Sequence, residues 1–183
     1  LQWVTEQLKS QVHAIESTVL KLKMANQHWQ LTQENSNIES KNVVLAIGSE
    51  PRLMESSVPL IPLEDALDNE RIQKWVDETD TVAVFGASHS AMIVIRLLLE
   101  SGVKKVINFY QSALRFAVYL DDFILFDNTG LKGETAKWTR EHIDGKVSDR
   151  LERIWSNDDN VKAFLPQCTK SVQAIGFARR NIL

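Results

Sequence analysis

The stretch TVAVFGASHSA, residues 81–91, decides the fold of this chain. Its first five residues are typical of a buried strand, and the glycine and small residues after them are typical of a tight turn into a helix. The helix is predicted from Ser88 to Ser101, with Gly102 as its C-terminal stop. KKVINFY, residues 104–110, supplies a second strand, so the pattern predicts a βαβ unit with parallel strands. The apolar face of the helix is predicted to hold Ala91, Val94, Leu97 and Leu98.

The turn between this strand and helix carries part of the pattern G-x-G-x-x-G, which binds the pyrophosphate of dinucleotides. Gly86 takes the first place, Ser88 the second and Ala91 the third, where alanine is an accepted variant. Serine at the second place adds a side chain where the pyrophosphate would lie, although its hydroxyl could donate to a phosphate oxygen. Two interpretations stay open at this point. The turn, including Ala87, either cradles a pyrophosphate at a helix N-terminus or is a packing corner of an α/β protein.

Two further residues of the turn have double interpretations. Ser90 could donate to a phosphate or cap the helix. His89 could lie over the phosphates or a nicotinamide, or it could face solvent. No residue stands out as an acid–base catalyst, so the catalytic residues are unknown from the sequence.

The end of the second strand bears on the choice between NAD and NADP. An acidic side chain about 20 residues beyond the turn holds the ribose 2′-hydroxyl of NAD. The chain has Gln111, Ser112 and Arg115 in this region and no acid before Asp121. A missing acid with an arginine nearby favours a 2′-phosphate, and therefore NADP. The alternative is that Arg115 is a surface residue with an unrelated role.

Composition excludes several other classes of protein. The chain has 183 residues, 44% of them hydrophobic, and a net charge of −3, which fits a globular domain and gives no basic stripe for nucleic acid. The longest apolar stretch is interrupted by Arg96 and is too short to span a bilayer. The four histidines lack the spacing of metal ligands, so no metal is expected. A single cysteine, Cys168, and no visible signal peptide favour the cytoplasm.

The flanking segments predict further elements. A short helix is expected from Gln2 to about Ile15, and a hairpin follows with its turn at Ala25–Asn26. NVVLAIG, residues 42–48, is a continuous apolar run that predicts a strand covered on both faces. Residues 51–63, with three prolines, predict a linker, and a polar, helix-prone connector follows. Residues 119–155 receive no secure assignment.

An internal repeat links the two ends of this region. AIGSEPR, residues 46–52, and AIGFARR, residues 174–180, share the form A-I-G-x-x-x-R, and each follows a strand-like segment. The functional interpretation is that each copy closes a nucleotide-binding sheet, which makes Gly48, Ile175 and Gly176 candidate cofactor contacts.

Taken together, NVVLAIGSEPR, TVAVFGASHSA and SVQAIGFARR resemble, in order and distance, the pyridine nucleotide-disulfide oxidoreductase superfamily and its flavin-monooxygenase-like branch. The resemblance covers about residues 19–180 and implies an α/β fold: a Rossmann-like parallel sheet with flanking helices and a partial β-meander of an FAD domain. It implies an FAD-type part over residues 1–50, a connector over 51–77, an NAD(P)-binding domain over 78–176, and a return toward the FAD domain over 177–183.

The resemblance also implies the cofactors and partners. NADP or NAD would bind this chain, and FAD would bind the full-length protein through a part not present here, because no glycine-rich turn precedes the meander. The expected function is hydride transfer from NAD(P)H to flavin in an FAD-dependent oxidoreductase. The alternative is a nucleotide-binding or degenerate Rossmann-like module without redox turnover. No membrane or nucleic-acid partner is expected, and apolar surface left open by an incomplete flavin domain predicts a homo-oligomer.

Overall fold

The computed structural model describes residues 2–180. Ser49–Arg179 form one compact unit, and the described residues up to Gly48 belong to another. No helix among the described residues is long and apolar enough to cross a membrane.

The first unit begins with a helix that is shorter than predicted. Helix α1 spans Gln2–Leu8, and a 3₁₀ turn over Lys9–Gln11 ends it. The prediction of a helix to about Ile15 is wrong, because the backbone of Val12 is already extended and the side chains of Val12 and Ile15 are exposed. A helix gains most of its stability from packing an apolar face, and nothing covers this face among the described residues.

The predicted hairpin is confirmed as part of a three-stranded meander, but its turn lies one residue later than predicted, because Ala25 still pairs with His28. Strands β1 (Val19–Ala25), β2 (His28–Gln33) and β3 (Asn37–Ser40) pair antiparallel in the order β1-β2-β3. Asn26 and Gln27 form the turn with φ of 49° and 61°, the left-handed backbone of a two-residue type I′ turn.

The strand predicted for residues 42–48 is absent. Val44 is 90% exposed, and Leu45 and Ile47 are also exposed. A strand covered on both faces needs a neighbouring layer on each side, and no described residue supplies one here. The apolar run alone could not reveal which neighbours would cover it.

The second unit is built on a parallel sheet. Strands β5 (Thr81–Phe85), β6 (Lys105–Tyr110), β9 (Leu151–Trp155) and β10 (Lys170–Gln173) lie in the order β10-β5-β6-β9. The predicted βαβ unit is confirmed, since helix α4 (His89–Glu100) joins β5 to β6 and these strands pair in parallel. Gly102, with φ of +81°, follows the helix as expected. Three of the four predicted face residues, Ala91, Val94 and Leu98, are fully buried, and Leu97 is half-buried.

Both faces of this sheet are covered. Helices α2 (Leu63–Ala66), α3 (Asn69–Ile72), α4 and α5 (Gly133–Thr139) contribute buried side chains to one apolar cluster. Helix α6 (Asp158–Phe164) and the residues after it cover the other face, where the rings of Phe85 and Phe109 stack with centroids 4.8 Å apart. The proline-containing segment lies along the edge strand β10, where the Ser171 N–H donates to the Pro59 carbonyl at 2.8 Å.

The unassigned region, residues 119–155, holds small elements and one strand of the sheet. Strands β7 (Val118–Tyr119) and β8 (Ile124–Leu125) form a small hairpin, and a π-helical turn over Arg140–Gly145 extends α5. β9 then lies against β6 at the edge of the sheet.

The two copies of the sequence repeat pair with each other. Strand β4 (Ser49–Pro51) follows the first glycine and β11 (Phe177–Arg179) follows the second, and the two strands are antiparallel. Glu50 lies opposite Ala178, so the central residues of the two three-residue strands face each other across the pair.

Candidate functional site

A cleft of about 520 Å³ opens at the carboxyl ends of β5, β6 and β10. The chain passes from β5 through α4 to β6 on one side, and β10 lies on the other side of β5. The strand order therefore reverses between β5 and β10. In open α/β sheets, ligands bind in the crevice at such a switch point.

The turn after β5 forms one wall of the cleft and requires glycine at position 86. Gly86 has φ of +128°, and a Cβ there would lie 2.4 Å from the Ala174 carbonyl oxygen of the neighbouring strand. The same Cβ would lie 3.3 Å from the Cβ of Ala91. Ala91 is fully buried, so the third small residue of the pattern serves close packing of helix against strand.

Ser88 stands where helix α4 begins. Its backbone is extended and it takes the N-cap position, but its side chain makes no capping hydrogen bond. The hydroxyl is exposed and lines the cleft. The first N–H groups of a helix have no intrahelical partner and favour an anion. The arrangement therefore offers backbone N–H groups and one uncommitted hydroxyl to a negatively charged group in the cleft.

The cleft brings together residues from three separate stretches of the predicted site. These are Gly86, Ala87, Ser88, Gln111, Ser112, Ile175 and Gly176.

The other predicted site residues do not line the cleft. His89 is exposed, Ser90 is half-buried in the first turn of α4, and Ala91 is buried beneath it. Arg115 is exposed, with its guanidinium carbon 5.6 Å from the centre of the Phe126 ring. Gly48 belongs to the first unit.

Sequence reasoning missed several cleft residues, of which Arg52 is the most informative. The Arg52 N–H donates to the Gly176 carbonyl at 2.9 Å, and its Nε donates to the Phe177 carbonyl at 3.1 Å. Arg52 is the cationic residue that lines the cleft, and no Asp or Glu lines it among the described residues. A signal was available, because Arg52 is the last residue of the first repeat copy. Met54, Phe109, Ser156 and Ala174 also line the cleft without having been predicted.

A buried polar residue, Asn108, supports the turn from behind. Its Nδ2 donates to the Val84 carbonyl at 2.9 Å and to the Gly86 carbonyl at 2.8 Å. Its Oδ1 accepts a hydrogen bond of 3.0 Å from Nε of Arg153, whose guanidinium lies 4.5 Å from the centre of the Tyr110 ring. Burial lowers the pKa of the Arg153 guanidinium from its usual value, although the nearby Tyr110 and Asp144 oppose that change.

The described residues give little support to other chemistries. Burial raises the pKa of the Cys168 thiol to about 11, so it is not a thiolate at neutral pH. Cys168 packs in the cluster on the α6 face of the sheet, with Sγ 3.8 Å from the Phe164 carbonyl oxygen. No group of His, Cys, Asp and Glu side chains among the described residues could hold a metal ion.

Comparison with known proteins identifies the family of this chain. The sequence model of the L-lysine 6-monooxygenase/L-ornithine 5-monooxygenase family matches residues 1–154. A curated relative, "Monooxygenase AgnR1" from Paecilomyces divaricatus, is 33% identical over 169 residues, which cover 80% of this chain and 43% of the relative.

Two solved structures share the fold. An L-lysine 6-monooxygenase from Pseudomonas syringae superposes with a TM-score of 0.64 at 14% identity. A mutant flavin monooxygenase from Stenotrophomonas maltophilia superposes with a TM-score of 0.62 at 9% identity. Each match covers 98% of this chain and 57% of the solved one.

The chain thus spans about half the length of the relatives it matches. The predicted α/β fold is confirmed, and so is the resemblance to the flavin-monooxygenase-like branch of the pyridine nucleotide-disulfide oxidoreductases. With a family match over more than half of its residues, this chain belongs to the L-lysine 6-monooxygenase/L-ornithine 5-monooxygenase family.

Proposed function

We propose that the protein is a flavin-dependent monooxygenase in which this chain binds NAD(P)H in the cleft beside Gly86. The observation that carries the proposal is the position of the turn. A strand, a glycine with φ of +128° and a helix N-terminus meet where the strand order reverses. This arrangement places backbone N–H groups beside a cleft that is large enough for a cofactor.

The cleft residues have distinct proposed roles. Ala87 and Ser88 face the pyrophosphate, the first through its backbone and the second through its hydroxyl. Gln111 and Ser112 follow β6 and contact the adenosine end. Ile175 and Gly176 form the opposite wall, after β10.

NADPH is the proposed form of the cofactor, for an electrostatic reason. A carboxylate that would bind the ribose 2′-hydroxyl of NAD is missing from the described lining of the cleft. Arg52 adds a positive charge there, which favours a more highly charged ligand. Arg115 lies over the Phe126 ring outside the cleft, whereas Arg52 lines it. We therefore propose Arg52 as a phosphate-binding cation beside Arg115.

The chemistry supplied by the bound nicotinamide is a hydride, which in this class of enzyme passes to a flavin. The chain's own residues bind and orient the nucleotide. The described residues contain no second motif in which a strand leads through a glycine turn into a helix. We therefore assign flavin contacts to none of them. We also propose that residues 78–176 act as the NAD(P)-binding domain. L-Lysine and L-ornithine, named in the family description, are the first substrates to test.

One observation favours a second candidate function. Ser88 replaces the glycine that usually lets pyrophosphate approach closely, and its side chain lies at the cleft. A module that binds a nucleotide without redox turnover is compatible with that change. Bleaching of a bound yellow flavin by NADPH in the full-length protein would separate the enzyme from this alternative.

The test of the nucleotide site is a calorimetric titration of the protein with NADPH and NADH, beside Ser88→Asp. Aspartate suits an N-cap position, so the helix should persist, while its charge repels pyrophosphate. The matched control is Asn128→Asp, which adds the same charge at an exposed position outside the cleft. We expect NADPH binding by the unsubstituted protein and the control, and none by Ser88→Asp. No binding of either nucleotide to the folded protein would refute the proposal.

A further inference from the structure

We propose that Asn108 is a positioning residue that aims the backbone N–H of Ala87 at the ligand in the cleft. This inference rests on the proposed nucleotide site. It starts from the two hydrogen bonds of the Asn108 amide to the carbonyls of Val84 and Gly86, at 2.9 and 2.8 Å.

Strand β6 binds both the N–H and the carbonyl of Gly86. Its N–H donates to the Phe109 carbonyl at 2.9 Å, which is the last bond of the parallel ladder. Beyond this point the chain turns away and no backbone donor of β6 is bonded to the Gly86 carbonyl. The side chain of Asn108 supplies the donor instead, so one side chain continues the ladder by one hydrogen bond.

This bond determines the direction of the next N–H group. In a trans peptide the C=O and the following N–H point in opposite directions. The Gly86 carbonyl points at Asn108, behind the turn, so the Ala87 N–H points away from Asn108. Ala87 lines the cleft, and its N–H is the first donor of the turn beyond the strand. Fixing the Gly86 carbonyl therefore fixes a donor for the pyrophosphate.

Arg153 fixes the orientation of the amide itself. Two carbonyls can only accept, so they require the NH₂ end of Asn108, and the guanidinium can only donate, so it requires the oxygen end. The Arg153 Nε bond of 3.0 Å thus opposes a flip of the amide. Asn108 is fully buried, and water cannot replace these partners without opening the core.

The experiment measures the Kd of NADPH by calorimetry in the full-length protein, at a temperature where each variant is folded. Asn108→Asp keeps the shape but presents an acceptor to two acceptors, so we expect Kd to rise at least about tenfold, or about 1.4 kcal/mol. Arg153→Met removes the donor that binds the Asn108 side-chain oxygen and keeps a long side chain. We expect it to raise Kd about threefold or more, because the amide loses one of its restraints.

Val106→Ala is the matched control for lost stability. Val106 is fully buried on the same face of β6, two residues before Asn108, and it pairs with Val82 rather than with the end of β5. Val106→Ala should lower Tm and leave Kd unchanged. Asn108→Asp would behave in the same way if Asn108 had a purely structural role. The amide resonance of Ala87 should shift in both test variants and stay in place in the control.

The outcomes separate the two proposals. If the unsubstituted protein binds NADPH and Asn108→Asp binds it equally well, the positioning role is overturned and the nucleotide site stands. If Asn108→Asp does not fold, a Kd unchanged in Arg153→Met overturns the positioning role. No binding by the unsubstituted protein overturns both.

Discussion

Gly86 lies against the backbone of Ala174 at the point where β5 and β10 end at the cleft. The Ala174 N–H donates to the Phe85 carbonyl at 2.8 Å, and a Cβ on Gly86 would meet the Ala174 carbonyl oxygen at 2.4 Å. The neighbouring strand therefore requires glycine here whether or not a nucleotide binds. Gly86 alone does not distinguish a phosphate cradle from a packing corner. Ser88, which meets the cleft and has no capping role, is the position that does.

Substitution of Gly86 tests this packing. Gly86→Ala should lower the free energy of unfolding by about 3 kcal/mol or more, because the added Cβ meets backbone and the φ of +128° is strained. Gly102→Ala is the control. Gly102 also has positive φ, but nothing lies within 4 Å of its Cβ position, so the loss should be about 1 kcal/mol. Urea unfolding of both variants measures the difference, and equal losses would contradict the packing argument.

Substitution of Arg52 tests the proposed phosphate contact. Arg52→Gln removes the cation that lines the cleft, so the Kd of NADPH should rise about tenfold and depend less steeply on salt. Arg71→Gln, which removes an exposed arginine paired with Asp65 away from the cleft, should leave the Kd unchanged. Titrations at low and high salt make the measurement. An unchanged Kd in Arg52→Gln would remove Arg52 from the proposed site.

The carboxylate of Asp80 should make the stability of the second unit depend on acid pH. Burial raises the pKa of this carboxyl, but hydrogen bonds from Lys170 at 2.5 Å and Thr169 at 2.6 Å outweigh burial and hold the pKa below its usual value. A carboxyl group whose pKa is lower in the folded state stabilises the fold at pH values above its pKa in the unfolded chain, which is about 3.9. This stability is lost as the pH falls through the pKa of the folded state.

Asp80→Asn should therefore lower the free energy of unfolding by about 1–3 kcal/mol at pH 7. The gap in this free energy between the variant and the unsubstituted protein should narrow below about pH 4. The control is Glu152→Gln, which breaks a more exposed pair with Lys105 and should cost less than about 1 kcal/mol. Urea unfolding at pH 7 and pH 3 measures both variants. A gap that stays constant with pH would show that ionisation of Asp80 is not the cause.

The central βαβ unit could be predicted because its signals are local. The strand over Thr81–Phe85 has the predicted bounds, and helix α4 differs by one residue at each end. The apolar run at residues 42–48 failed as a prediction because two-sided burial depends on neighbours that lie elsewhere in the chain. Strand β9 escaped notice because Glu152 and Arg153 interrupt its apolar pattern. Both charges have partners in the fold, Lys105 and Asn108, that no local pattern reveals.

The parts of the candidate site that directly follow strands could be predicted from the sequence, and the others could not. The turn, the end of β6 and the second repeat copy were found because each follows a strand, and the carboxyl ends of parallel strands meet at one edge. Arg52 could have been found from the repeat that it ends. Asn108 left a weaker signal, a single polar residue inside an apolar strand. Its partner atoms are backbone carbonyls, which carry no signature in the sequence.

The pairing of β4 with β11 also bears on how this unit could be moved between proteins. The chain enters the unit at Ser49 and leaves it at Arg179, and these two residues are partners in the antiparallel ladder. Paired residues of such a ladder lie about 5 Å apart. The two ends of the unit therefore lie as close together as the two sides of a surface loop, which is the geometry that insertion of one domain into another requires.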